Sequence, residues 1–306
     1  MTQSKKTAPI SQFSGGDHYT EQRRWTPAGP AILFAPADRP ERFTKAAERS
    51  DVVILDLEDG AGRDSFEKAR DNIVNSTLDP ATTIVRIHSV DSDLFRGDIE
   101  MVAKTSYNTV MVPKCNEPLP DELHDYDIIA MLESPSGIMN ARDIAHQEFV
   151  VALLWGAEDF TASLGGIYSR LQQDERGWDS SRGSAEGPYR TTVNYLRTQT
   201  LIHAAEAGII ALDAVFADIH DADGLRDEAL DAARIGFAGT ACIHPAQVPV
   251  IREAYRPSTK QVELARRIVR ESVGHPGALN IDGKMVDAPL FRQAELLVAR
   301  ADALGM

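Results

Sequence analysis

The sequence predicts an α/β fold: a (β/α)8 TIM barrel with extra C-terminal helices forming a cap or an inter-subunit lid. Three observations carry this reading. From Ala31 onward, eight short apolar runs alternate strictly with amphipathic stretches, a count that favours a closed barrel over an open doubly wound sheet. Several runs, such as Val52-Val53-Ile54-Leu55 and Ala152-Leu153-Leu154, are apolar on both faces, as parallel strands covered on both sides are. After the first run stands Ala35-Pro36-Ala37-Asp38-Arg39-Pro40 rather than a Gly-x-Gly-x-x-Gly turn, so the main cue for a dinucleotide-binding sheet is missing.

In chain order, residues 1–29 are polar, lack periodicity and read as a mobile N-terminal arm. Strands are expected over 32–37, 51–58, 82–88, 109–114, 127–134, 151–160, 211–217 and 239–245. Helices are expected near 41–49, 65–76, 93–104, 137–145, 192–208 and 222–236, with Ser65 and Asp221 as N-caps and Gly208 and Gly236 just past the C-termini. The barrel so defined covers 30–257. The Gly/Ser/Asp-rich stretch 169–190 reads as an exposed insertion over one barrel end. Residues 258–306 form a helical extension, with helices near 258–273 and 289–304 joined by HPGALNIDGKMVD. These helices exceed the eight-unit count, so they are expected to cap the barrel or reach a neighbouring subunit.

Composition narrows the function. Lys and Arg number 32 against 46 Asp and Glu, a net charge of −14, which argues against nucleic-acid and membrane-surface partners. No apolar run approaches the length of a spanning helix, and the N-terminus lacks the apolar core of a signal peptide, so a cytoplasmic protein is expected. Cys115 and Cys242 have no metal-ligand spacing around them and read as reduced core thiols.

In such a barrel the reactive groups gather at the C-terminal ends of the strands. Six of the eight expected strands end in charge: Asp56 to Asp59, Arg86, Lys114, Glu133, Glu158-Asp159 and His244. Glu133 and Asp159 follow adjacent strands and can converge on one hard cation such as Mg2+, which keeps much of its water; the alternative is that both cap the helices that follow. Arg86 should point into the mouth, where a guanidinium grips a carboxylate bidentately, or pairs with Glu58 or Asp59 next door. His244, beside Pro245, reads as a structural hydrogen-bonder, and Lys45 and Lys68 as solvated helix lysines.

These residues in order resemble the citrate lyase beta-subunit-like branch of the HpcH/HpaI aldolase superfamily. The matching pieces are Leu33 to Arg42, Asp51 to Asp59, Lys68-Ala69-Arg70, Val85-Arg86-Ile87 and Val112-Pro113-Lys114. They continue through Leu132 to Gly137, Gly156 to Phe160, Gly236 to Thr240 and Ile243 to Gln247. The resemblance implies a Mg2+-dependent carbon–carbon lyase that splits or forms a 3-hydroxyacyl-CoA, such as malyl-CoA or citramalyl-CoA. It implies an acyl-CoA and a small 2-oxo acid as partners, and a homotrimer or hexamer. It implies Glu133 and Asp159 as metal ligands, Arg86 and the Gly156-Ala157-Glu158 turn at the substrate, and Glu58 and Asp59 behind them. Asp287 matches an acid/base supplied to the neighbouring subunit, or else serves as a helix N-cap. Arg39, Arg42 and Lys45 are candidate contacts for the CoA phosphates. Ala31-Ile32, Thr240 and His88 depart from the family pattern, the first two where relatives hold the CoA arm. A CoA-independent 2-keto-acid aldolase, a malate-synthase-like thioesterase activity and a non-catalytic barrel subunit are the alternatives.

Overall fold

The computed structural model describes residues 25–59, 65–173, 175, 187–274 and 277–306. Contacts divide it into two compact units, one running to Ala254 and the other Tyr255–Met306.

The first unit is a closed barrel of eight parallel strands in sequential order: β1 (Ala31–Pro36), β2 (Val52–Asp56), β3 (Thr83–Arg86), β4 (Thr109–Val112), β5 (Asp127–Leu132), β6 (Val150–Trp155), β7 (Ile210–Asp213) and β8 (Gly239–Cys242). The seam closes where β1 pairs with β8, Ile32 opposite Ala241. There Gly239 is obligatory, since a Cβ would sit 2.8 Å from the Pro30 carbonyl oxygen. The intervening helices are α1 (Phe43–Arg49), α2 (Phe66–Val74), α3 (Phe95–Val102), α4 (Pro135–Met139), α5 (Ala141–Ala145), α6 (Ala157–Ser163), α7 (Thr191–Glu206), α8 (Ala222–Ile235) and α9 (Gln247–Tyr255).

Strand side chains alternate between the barrel interior and the helix layer. One alternate set, including Ile32, Ile54, Ile84, Met111, Met131 and Leu154, fills the interior. The other set, with Leu33, Val53, Val85 and Val110, is equally buried. Continuing the interior set two residues at a time reaches Asp56, Arg86, Glu133 and Gly156, so the same period that packs the core also delivers the polar groups at its mouth.

Several expectations need correction. β2 and β3 end in charge as expected, at Asp56 and Arg86, but β6 ends at Trp155, Gly156 is the N-cap of α6, and Glu158 and Asp159 fall in the first turn of α6 rather than in a strand. The helix expected over 137–145 is two short helices meeting at Asn140. Asp221 caps α8 by accepting from the Gly224 N–H at 2.8 Å, whereas Ser65 makes no side-chain cap on α2. Gly208 and Gly236 both take positive φ past their helices, as expected. Most of the arm expected over 1–29 lies outside the described residues, but Trp25 is buried in the barrel core cluster, so a solvated arm must end before it.

Residues 174 and 176–186 of the expected insertion are likewise outside the described residues, and its two ends are anchored rather than exposed. Arg170 is buried, stacks 3.6 Å over the Tyr189 ring and bonds to Glu228 at 2.7 Å, while the Tyr189 hydroxyl donates to the same carboxylate. The core thiols are as expected: free and buried, with burial pushing Cys115 up strongly and Cys242 to about 12. Neither thiol should react with iodoacetamide at pH 8 in the native state, and both should after unfolding, as read by mass spectrometry.

The second unit holds α10 (Thr259–Ser272), β9 (Leu279–Ile281), β10 (Lys284–Val286) and α11 (Ala288–Ala303). Ser258 and Gln261 form a reciprocal capping box at the start of α10. β9 and β10 form an antiparallel hairpin about Asp282-Gly283, where the sequence reading had only a linker. Both turn residues take positive φ, 52° and 81°, the geometry that the Asp-Gly pair favours. Among the described residues no helix is long and apolar enough to cross a membrane.

Candidate active site

A cavity of about 410 Å3 opens at the C-terminal end of the barrel. Its lining combines apolar Phe34, Trp155, Val215 and Ile243 with charged Asp56, Asp59, Arg86, Glu133 and Asp159.

Arg86 is held from below. Asp56 lies directly opposite it in the β2–β3 register, and the two form a bidentate pair, Nε to Oδ1 at 2.6 Å and Nη2 to Oδ2 at 2.7 Å. Nη1 reaches Glu58 at 3.3 Å, and the guanidinium lies 4.7 Å from the Phe34 ring centroid. Burial pulls the Arg86 pKa down, but the two carboxylates more than offset it, so the group is firmly charged. Of the ion-pair partners expected for Arg86, Glu58 is correct and Asp59 is replaced by Asp56.

Glu133 is buried at 5% exposure and does not cap a helix. Ser134 does that, accepting from the Gly137 N–H at 3.0 Å. Glu133 Oε2 instead accepts the Lys114 N–H at 2.9 Å. Burial raises the Glu133 carboxyl from 4.5 to about 7, with the Asp159 and Glu58 charges adding to the rise and the Lys114 N–H opposing it. Gly156 exists to make room for it: a Cβ there would stand 2.5 Å from Glu133 Oε1. Gly156→Ala should therefore displace this carboxylate and cost at least about tenfold in turnover, a shift that steady-state kinetics on the folded variant would read.

Lys114 is a residue that the sequence reading placed at a strand end without a role. It takes φ 53°, a left-handed conformation that side chains other than glycine rarely adopt. That twist aims its N–H at Glu133 while its Nζ bonds to Glu58 and lies 4.0 Å from Asp159 Oδ1. Burial lifts the Glu58 carboxyl, and the Arg86 and Lys114 cations pull it back. Glu158 accepts from the Ser169 hydroxyl at 2.6 Å.

The apolar lining is also fixed from behind. The Trp155 Nε1–H donates to buried Asp213 at 2.8 Å, and Arg197 clamps the same carboxylate through Nε and Nη2, both at 3.0 Å. The Trp155 ring meets Tyr189 edge-on, 5.2 Å between centroids. Nothing in the local sequence pattern pairs residues this far apart.

The other candidates fall elsewhere. His244 is a local hydrogen-bonder, its Nδ1 accepting from the Ala246 N–H at 3.2 Å. Arg39 and Arg42 are exposed on the β1–α1 connection, Lys45 is exposed in the first turn of α1, and Lys68 is exposed on α2. Asp287 belongs to the second unit, at the N-cap position of α11 but with no side-chain cap bond. His88 is buried against Asp98, Nδ1 to Oδ2 at 2.6 Å.

Among the described residues no three His, Cys, Asp or Glu side chains converge into a metal cage. The donor set still fits a hard divalent ion that keeps its water and takes further oxygens from substrate: two carboxylates on adjacent units, one preset by a backbone N–H. The Lys114 ammonium beside Asp159 already stands as a cation at the same place.

A charged mouth over an apolar barrel core defines a TIM-barrel enzyme site. The chain belongs to the HpcH/HpaI aldolase/citrate lyase family, whose model matches residues 31–120 and 121–245, and it is a lyase of that type. A citrate lyase subunit beta-like protein of Mycobacterium tuberculosis is 44% identical over 275 residues, 90% of this chain and 96% of the relative. The mitochondrial citramalyl-CoA lyase of Rattus norvegicus is 28% identical, over 90% of this chain and 86% of the relative. The crystal structure of CitE from Mycobacterium tuberculosis, in complex with magnesium, acetoacetate and coenzyme A, is similar at TM-score 0.81 and 44% identity. It covers 90% of this chain and 98% of that one.

Proposed function

We propose that the protein is a Mg2+-dependent carbon–carbon lyase that splits a 3-hydroxyacyl-CoA of the malyl-CoA or citramalyl-CoA kind into an acyl-CoA and a 2-oxo acid. The observation that carries this reading is the pairing of a buried, backbone-anchored Glu133 with Asp159, beside a guanidinium aimed into the same cavity. Magnesium and coenzyme A in the similar CitE structure support the choice of ion and carrier.

Glu133 and Asp159 would hold the ion, which would supply Lewis-acid polarisation to the substrate oxygens that become the oxo acid. Arg86, with two of its edges spent on Asp56 and Glu58, is fixed in orientation and grips the substrate carboxylate with what remains. The Gly156-Ala157-Glu158 turn borders the same end of the cavity. Glu58 and Asp59 act from behind, Glu58 by holding Arg86 and Lys114. The apolar lining at Trp155 keeps water from the departing enolate. Asp287, from a second copy of the chain in a homotrimer or hexamer, removes the hydroxyl proton and returns it to the enolate carbon as the acyl-CoA forms; its carboxylate makes no side-chain cap bond on α11. Arg39 and Arg42, exposed on the β1–α1 loop, and Lys45, exposed in the first turn of α1, take the CoA phosphates.

Calorimetric titration of the Mg2+-loaded protein with acetyl-CoA and, separately, with pyruvate or oxaloacetate tests this. Binding of both is expected. Binding of the oxo acid alone would favour a CoA-independent aldolase, consistent with Thr240 being a buried strand residue where a cation was sought.

A further inference from the structure

Lys114 is the element of the site whose placement is hardest to account for by packing. Its side chain is 38% exposed, so it is not there to fill the core, and its backbone is held in a conformation that glycine or asparagine adopts more readily. What distinguishes it is the set of carboxylates it serves: Glu58 by a direct ion pair, Asp159 at 4.0 Å, and Glu133 through its own N–H. The anchor on Glu133 needs only the backbone, which any residue supplies. The ammonium is the part that only a cationic side chain brings.

Arg86, the other cation of the mouth among the described residues, is bonded to Asp56 and Glu58. Among the described residues Lys114 is the cation that faces Asp159, at 4.0 Å, so its ammonium and a divalent ion compete for that carboxylate. Its charge opposes the ion and favours an anionic substrate, so the two effects have opposite signs.

On the reading that Glu133 and Asp159 hold Mg2+, we propose that Lys114 is a positioning residue whose ammonium stands in for the metal at Asp159, weakening Mg2+ binding to the empty site and strengthening capture of the 2-oxo acid once the ion is bound. A residue that merely stabilised the fold would move both affinities in the same direction.

The test is calorimetry on the full-length protein, with Mg2+ alone and then with pyruvate on the Mg2+-saturated protein, for wild type, Lys114→Met, Lys114→Gly and Lys114→Arg. Met and Gly should each bind Mg2+ about tenfold more tightly, as expected for a unit charge removed a few ångströms from the ion, and bind pyruvate about tenfold more weakly. Arg should restore both values to near wild type. The Gly variant relaxes the left-handed backbone, so it keeps the test alive should Met fold poorly; melting curves report on that. Mg2+ binding that is unchanged or weaker in folded Met and Gly variants overturns the proposal while leaving the metal site standing. Wild-type protein that takes up no Mg2+ at all overturns the metal site itself, and this proposal with it.

Discussion

Arg86→Ala is expected to abolish turnover and to cost about 3–5 kcal/mol of stability, because it strips a buried carboxylate of its cation. Asp56 is 3% exposed and pairs both oxygens with Arg86, so the loss is the cation that balances a buried carboxylate rather than a surface ion pair, although the Glu58 N–H still donates to Oδ1 at 3.1 Å. The two effects can be separated. Arg86→Met combined with Asp56→Asn removes both charges and should recover most of the stability, since neutral groups of similar volume tolerate burial better than a lone ion. It should recover none of the activity, because the group that orients the substrate carboxylate is still gone. Denaturant titration and steady-state assay of the single and double variants read the two columns independently. An active double variant would remove Arg86 from the substrate.

Glu133→Gln should have the opposite effect on stability. The folded protein holds this carboxyl at about 7, against an ordinary 4.5 in the unfolded chain. Below about pH 4.5 both states carry the proton and the residue costs nothing. Between the two values the unfolded chain releases its proton while the folded chain keeps it, so folding loses stability as pH rises, and the full cost is present above pH 7. A shift of this size corresponds to roughly 3 kcal/mol at most. The metal-free Gln variant should therefore melt higher than wild type at pH 8 and match it near pH 4, its side-chain oxygen still accepting the Lys114 N–H. Added Mg2+ should raise the wild-type melting temperature at pH 8 and leave the variant unmoved. Equal metal-free melting at pH 8 would mean that Glu133 is solvated more than its 5% exposure implies. The trade is the usual one at a functional site, where a group tuned for its ligand burdens the empty fold.

How much of this was legible beforehand follows from the range of the interactions. Period-two alternation is local, so the run Ile54, Asp56, Glu58 and the run Met131, Glu133 announced both a barrel interior and a polar mouth above it. Glycine signals are local too: Gly208 and Gly236 ended their helices where expected. The Asp282-Gly283 turn carried the same kind of signal, but runs of only three residues on each side hid the hairpin. Strand register is not local, and it alone decides that Arg86 meets Asp56 rather than Asp59. The same holds for Trp155, Asp213 and Arg197, which come from β6, β7 and α7 and share one carboxylate. Lys114 was visible as a charge at a strand end, but its left-handed backbone depends on the carboxylate next door and left no mark in the sequence.

The central claim is metal-dependent scission of a carbon–carbon bond, and product analysis tests it most directly. Purified protein would be incubated with malyl-CoA and with citramalyl-CoA, with Mg2+ and with a chelator in its place, and the products identified by mass spectrometry. The account predicts acetyl-CoA with glyoxylate from the first or with pyruvate from the second, appearing with Mg2+ and suppressed by the chelator. Free CoA released with the carbon skeleton intact, or no metal-dependent product from either thioester, would contradict it.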